Sequence, residues 1–181
     1  MNYLLTGTET ERLSFRPVQD ILFEEWLPFF DNQNNPRMVG LDFLPTPEEQ
    51  CSMWFERGLN RIAEGRGGMN ALYEKGSGLF VGQCGLLVQE VDDKRELEVG
   101  YSLLPSFWGK GYATEAARKA RDIAFASGFT DSLISVIHEE NEPSKQVALR
   151  NGMQLHHKTI FRDLMPVEIF RIDREQWQAL Q

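Results

Sequence analysis

The chain has 181 residues, 41% of them hydrophobic and 25% charged, the size and make-up of one globular domain that buries about 70% of its unfolded surface. No apolar run approaches the roughly 20 residues of a membrane span, and a net charge of -8 speaks against nonspecific binding to nucleic-acid phosphates. The charge is uneven: residues 1–64 carry 11 acidic and 5 basic side chains, so the acidic excess belongs to the N-terminal third and favours a cationic partner.

Met1 to Glu11 lacks a basic start followed by an apolar core, so no secretory signal is expected and a cytoplasmic location follows by default. Arg12 to Val18 alternates and reads as a first strand, and a helical segment from Asp20 offers Ile21, Trp26 and Leu27 for packing. Asp31 to Leu44 reads as loop. Thr46-Pro47-Glu48-Glu49 is a helix start with a hydroxyl cap, proline at the first position and acids in the first turn, leading into Cys51 to Ala63. Three strands follow, Met69–Glu74, Leu79–Val91 and Glu96–Leu104, joined by the hairpin connections Gly76-Ser77-Gly78 and Asp92-Asp93-Lys94.

Beyond a glycine loop, Ala113, Ala116, Ala117, Ala120 and Ala124 recur at helical spacing, with Arg118, Lys119, Arg121 and Asp122 opposite and Gly128 as the stop. Leu133–His138 is a strand, Glu142–Asn151 a short helix ending at Gly152, and Met153–Phe161 and Met165–Ile172 two last strands. A meander followed by a βαβ-like unit predicts a single α/β (α+β) domain with a mixed, mostly antiparallel sheet of about seven strands and helices on both faces.

The segment Ser106 to Ala113 links a strand to a helix through Gly109 and Gly111, so successive backbone N–H groups can converge on one anion at a helix N-terminus. It lacks the GxxxxGK[ST] of a nucleotide-triphosphate loop and the GxGxxG of a dinucleotide fold. Glu96 and Glu98 alternate with Leu97 and Val99 and share one sheet face, either as a wet face or as the lining of a cleft. His156 and His157, adjacent on a strand, are expected on opposite faces, which excludes joint chelation. No metal site is expected. Cys51 and Cys84 have no metal-ligand spacing and no basic motif to activate them, so free thiols are expected.

Ser106-Phe107-Trp108-Gly109-Lys110-Gly111-Tyr112-Ala113-Thr114-Glu115-Ala116 resembles the Q/R-x-x-G-x-G/A loop of the GNAT acetyltransferases, in the form of the RimJ/RimL-like branch that includes ribosomal-protein N-terminal acetyltransferases. Ser106 departs from Gln or Arg at the first position. Three more segments extend the resemblance along the chain in the right order: Glu11 to Pro17, Glu98 to Leu103, and Asn141-Glu142-Pro143-Ser144 with Gly152 after it.

The resemblance implies an N-acetyltransferase that takes acetyl-CoA in a cleft between two splayed strands, uses no metal and acts as a monomer or homodimer. It implies that Leu103 and Leu104 meet the pantetheine or the acetyl carbonyl. Trp108, Gly109, Lys110, Gly111, Tyr112 and Ala113 cradle the pyrophosphate on the same reading, with Thr114 adding a hydroxyl.

Lys110 and Lys145 are candidates for the remaining phosphate, or ordinary surface lysines. A tyrosine acid common in the family would fall at Ala148 and is absent, so Ser144 becomes the candidate contact to the coenzyme sulfur, with Asn141 on the pantetheine. This pair also reads as an ordinary helix cap. Glu98 is the candidate base, with His138 a minor alternative. The acceptor is expected to be a primary amine: a peptide or protein N-terminus or a small cationic amine. The rival reading is a coenzyme A-binding regulatory or interaction module without turnover.

Overall fold

A computed structural model describes residues 3–162 and 164–181. Strand β1 (Leu13–Arg16) is followed by two single-turn helices, α1 (Phe23–Trp26) and α2 (Asn35–Met38), and by the long α3 (Pro47–Ala63). The short α2 lies where loop was expected; Pro36 starts its turn, and Asn35 Nδ2 donates to the Phe29 carbonyl at 2.7 Å, a tertiary bond invisible to periodicity. Helix α3 begins as its sequence demands. The Glu49 N–H donates to Thr46 Oγ1 and the Thr46 N–H to Glu49 Oε2, a reciprocal cap on two otherwise orphaned donors.

The meander consists of β2 (Gly67–Glu74), β3 (Phe80–Val91) and β4 (Lys94–Leu103), then α4 (Tyr112–Ala126), β5 (Ser132–His138), α5 (Glu142–Arg150), β6 (Gln154–Phe161), β7 (Met165–Asp173) and a short α6 (Arg174–Gln178). Asp92 and Asp93 take φ of 48° and 60°, the two-residue hairpin geometry that matches strand twist, and Val91 pairs directly with Lys94. The seven strands form one sheet in the order β1-β2-β3-β4-β5-β7-β6, antiparallel except between β4 and β5. Among the described residues no helix is long and apolar enough to cross a membrane.

Strand alternation divides the core into two layers. Leu72, Leu97, Val99 and Leu103 face α4, whose Ala116, Ala117, Ala120 and Ala124 are buried against them, so the small residues let the helix lie close to the sheet. Ala71, Tyr73 and Phe80 face the opposite layer, where Trp26 packs against Phe29, Trp54 and Phe80 and fixes α1 and α3 to the sheet. One helical assignment needs correction: Arg121, expected on the polar side of α4, is buried and donates to the Asn151 carbonyl at 2.7 Å while pairing with Asp122.

Candidate active site

Strands β4 and β5 pair at only two positions, Leu97 with Leu133 and Glu98 with Ile134, and part beyond them. At the fork, side chains replace the lost ladder bonds. The Val136 N–H donates to Glu98 Oε1 at 3.2 Å, and Ser135 Oγ donates to the Val99 carbonyl at 2.8 Å. The Leu104 N–H donates across to Val81 on β3, so by alternation the Tyr101 N–H and carbonyl point into the gap. A cavity of about 610 Å³ runs through this gap from the α3 side to the start of α4, within the usual range for ligand sites.

Glu98 sits at the apex of the fork and is 7% exposed. Gln89 Nε2 donates to its second oxygen at 2.6 Å, and Gln89 Oε1 accepts from Arg61 of α3 at 3.2 Å, which fixes the carboxylate on the α3 face. Burial pushes its pKa above the ordinary carboxylate range, against the opposing pull of Gln89, the Val136 N–H and Arg61. Glu96 has a different partner: it is tied to Arg171 at 2.7 Å. His138, buried and also on the lining, accepts from the Glu140 N–H at 3.1 Å.

At the other end, Gly109 and Gly111 take φ of 73° and 83°, a region that L side chains rarely adopt, and Gly111 is the N-cap of α4. No side chain caps this helix, so the first-turn N–H groups of Tyr112, Ala113 and Thr114 stand at the cavity with no intrahelical acceptor. The first-turn acid Glu115 is turned aside, accepting from Thr10 Oγ1 and Arg12 Nε at 2.6 Å each. This leaves an uncapped helix N-terminus facing open space, suited to an anion.

Of the residues singled out from the sequence, Glu98, Leu103, Trp108, Gly109, Gly111, Tyr112, Ala113, Thr114, Asn141 and Ser144 line this one cavity. Leu104 and Lys110 do not: Leu104 packs against the aromatic layer, and the Lys110 ammonium lies 4.9 Å from the Phe107 ring centroid. Trp108 folds back so that its indole N–H donates to the Leu103 carbonyl at 2.8 Å. Asn141 Oδ1 accepts from the Ser144 N–H at 3.2 Å, the expected cap of α5. Among the described residues, Asn141 Nδ2 and Ser144 Oγ make no hydrogen bond. Lys145 is no free phosphate ligand: its ammonium is held by the Glu139 carbonyl, Glu142 and Glu168 at 2.5 to 3.0 Å.

Three features escaped the sequence reading. Tyr101, on the α4 face, donates its phenol to the Ser144 carbonyl at 2.8 Å, and burial raises its pKa; strand parity in Glu98 to Leu103 could have found it. Gln83 is fully buried on the cavity wall, its oxygen accepting from the Trp54 indole at 3.2 Å and its Nε2 unpartnered among the described residues. Arg57, Arg61 and Arg162 line the α3 end, where Glu98 is the only carboxylate among the described lining residues.

Both cysteines are buried and free, and burial pushes the Cys51 thiol up to about 12 and Cys84 higher still. The histidine pair also needs correction. A bulge between Leu155 and His157 cancels the alternation, bringing the rings of His156 and His157 within 5.0 Å of each other, while His157 bonds Asp92 at 2.6 Å. No cluster of metal-ligating side chains occurs among the described residues.

A family model described as "Acetyltransferase (GNAT) domain" matches residues 12–154. The chain belongs to the GNAT acetyltransferase family. It is 34% identical over 97 residues to the uncharacterized protein YkkB of Bacillus subtilis, covering 54% of this chain and 56% of that relative. The uncharacterized N-acetyltransferase YoaA of the same organism is 27% identical over 148 residues, 81% of each chain.

Among solved GNAT-type structures, an acetyltransferase from Agrobacterium tumefaciens superposes with a TM-score of 0.71 at 25% identity over 95% of this chain and 96% of that one. A RimL ribosomal alpha-N-protein acetyltransferase in complex with coenzyme A gives 0.71 at 13% identity, covering 94% and 98%. A spermidine N-acetyltransferase from Vibrio cholerae in complex with coenzyme A and spermine gives 0.70 at 15%, covering 93% and 99%. The likeness to RimL is one of fold.

Proposed function

We propose that this GNAT protein transfers an acetyl group from acetyl-CoA to a primary amine by direct attack in a ternary complex. The observation that carries the reading is one continuous cavity joining the uncapped N-terminus of α4 to Glu98 at the fork of β4 and β5. The fit to the coenzyme rests on this chain's own groups: unsatisfied N–H donors for a pyrophosphate and the strand edge at Tyr101 for an extended amide chain. Acetyl-CoA supplies the acyl group activated as a thioester.

An alkylammonium with a pKa near 10.4 must lose a proton at a cost of about 4–5 kcal/mol at neutral pH. Glu98, whose raised pKa strengthens it as a base, takes that proton directly or through one water. The amine nitrogen then bonds to the acyl carbon as the carbon–sulfur bond breaks, and the thiolate leaves and takes up a proton lost from the nitrogen. Ser144 Oγ is the candidate hydrogen-bond donor to that sulfur, and Asn141 Nδ2 to the pantetheine. Coenzyme A in RimL, and coenzyme A with spermine in the spermidine acetyltransferase, support the donor and the amine chemistry; a peptide or protein N-terminus and a small amine both satisfy it.

The test is free-thiol release from acetyl-CoA against a panel of amines, with calorimetric binding of acetyl-CoA in parallel. Amine-dependent release supports transfer. Binding without release would leave a coenzyme A-binding module, and absence of binding would remove both.

A further inference from the structure

The α3 end of the cavity carries a charge pattern opposite to that of the surrounding sequence. Arg61 is buried at 7% exposure, its guanidinium fixed by the Val88 carbonyl at 2.6 Å and by Gln89 Oε1 at 3.2 Å. Arg162, in the β6–β7 turn, reaches the same Gln89 oxygen at 3.5 Å and lies over the Phe161 ring. Arg57 precedes Arg61 by one turn of α3 on the same helix face, over the Phe43 ring.

None of these three has a carboxylate within ion-pair distance among the described residues; Arg16, Arg95, Arg118 and Arg150 share that, and what sets the trio apart is its common place at the α3 end of the cavity. The acidic excess of residues 1–64 does not reach the lining, where Glu98 is the one carboxylate among the described residues to meet an ammonium. Burial lowers the pKa of Arg61, Glu98 pulls it back up, and Arg66 and Arg162 add to the lowering. For Arg162 partial desolvation comes first, then Arg57 lowers, with Glu98 again opposing, so the guanidiniums still repel one another. A bound anion relieves that repulsion.

We infer that the acceptor is a primary amine that also carries an anionic group, a carboxylate or a phosphate, engaged by Arg57, Arg61 and Arg162 while the amine meets Glu98. The inference rests on the transfer reading above. A single glutamine sets the spacing, since Gln89 donates to Glu98 with its nitrogen and accepts from Arg61 with its oxygen, so both groups fit on one small molecule a few bonds apart. The guanidinium fork suits carboxylate and phosphate alike. The arginines are also too far from the glycine loop to serve the coenzyme's pyrophosphate. Gln89 pairs with Glu96, and the strand from there to Leu103 spans roughly 23 Å. A second ammonium on the acceptor would face three like charges, which selects against polyamines.

The experiment compares kcat/KM by thiol release for matched amines: leucine against leucinamide and isoamylamine, and O-phosphoethanolamine against ethanolamine and spermidine. The carboxylate and phosphate arms separate the two anion sources. At least one anionic member is expected to exceed its neutral partner about tenfold to a hundredfold, and Arg57→Gln and Arg162→Gln are expected to bring that ratio towards one. Equal or better use of the neutral or polycationic partners, with a ratio unmoved by either variant, overturns the inference and leaves acetyl transfer standing.

Calorimetric titration of the same amines into the coenzyme A complex gives a readout without turnover. If no amine releases thiol yet the anionic members bind, and bind more weakly to the variants, the anion site stands and the transfer reading falls. Anionic members that bind no better than neutral ones overturn the inference by this route as well.

Discussion

Replacing Glu98 with Gln keeps the side chain's shape and removes its charge. The amide oxygen can still accept from the Val136 N–H, but the new nitrogen faces Gln89 Nε2, which now donates to Glu98 at 2.6 Å. Gln89 cannot turn without withdrawing its oxygen from Arg61. Setting two donors against each other in a buried site costs about 1–3 kcal/mol, and loss of the buried charge offsets part of that, so the fold survives and the measurement reports on chemistry. As general base, Glu98 is expected to contribute about 10²–10⁴ in rate. Because burial raises its pKa, the carboxylate is protonated and idle below the raised value, and the rate climbs with pH through it.

The stability sign follows from the same shift. Between the ordinary carboxylate pKa and the raised one, the folded chain holds a proton that the unfolded chain has released. Glu98's contribution to stability is therefore full below the ordinary value and lost as pH rises through the raised one, and Glu98→Gln removes this dependence. The assay is kcat and kcat/KM from about pH 4 to 9, a range that starts at the ordinary carboxylate value, with thermal melting of both proteins over the same range. A variant within about threefold of wild type, with the same pH profile, would refute the base assignment.

Gly111→Ala should cost about 1–2 kcal/mol because φ is 83° there, and should weaken acetyl-CoA binding in calorimetry. Gly128→Ala, at φ 66° just beyond the far end of α4, should cost a similar amount with binding unchanged. Ser144→Ala retains the backbone N–H that Asn141 caps, so melting should not move, while kcat should fall if the hydroxyl meets the departing sulfur; an unchanged kcat removes that role. Cys51, with its pKa near 12, and Cys84, higher still, should resist thiol reagents at about pH 8 until the protein is unfolded; labelling of the native protein would contradict their burial.

The elements with strong local signals were legible in the sequence. The reciprocal cap at Thr46 and Glu49, the two-aspartate hairpin at Asp92 and the alanine face of α4 each depend on neighbours within a few positions, and all appear as expected. The glycine loop was legible for the same reason, since positive φ at two nearby positions demands glycine. What escaped depends on long-range contacts. Nothing near Arg61 tells that its guanidinium crosses to Val88, or that Gln89 links it to Glu98. Lys145 looked like a surface lysine or phosphate ligand until Glu168 on β7 proved to hold it. The bulge at His156 broke a parity argument that is sound for a regular strand.

Acetyl transfer to an amine through one cavity is read out by the mass of the acceptor after incubation with the protein and acetyl-CoA, beside the thiol released. The acceptor is expected to be heavier by one acetyl group in amounts equal to the thiol, with both signals lost together in Glu98→Gln. Acetyl-CoA that binds at the α4 N-terminus while every amine tested stays unmodified would contradict transfer.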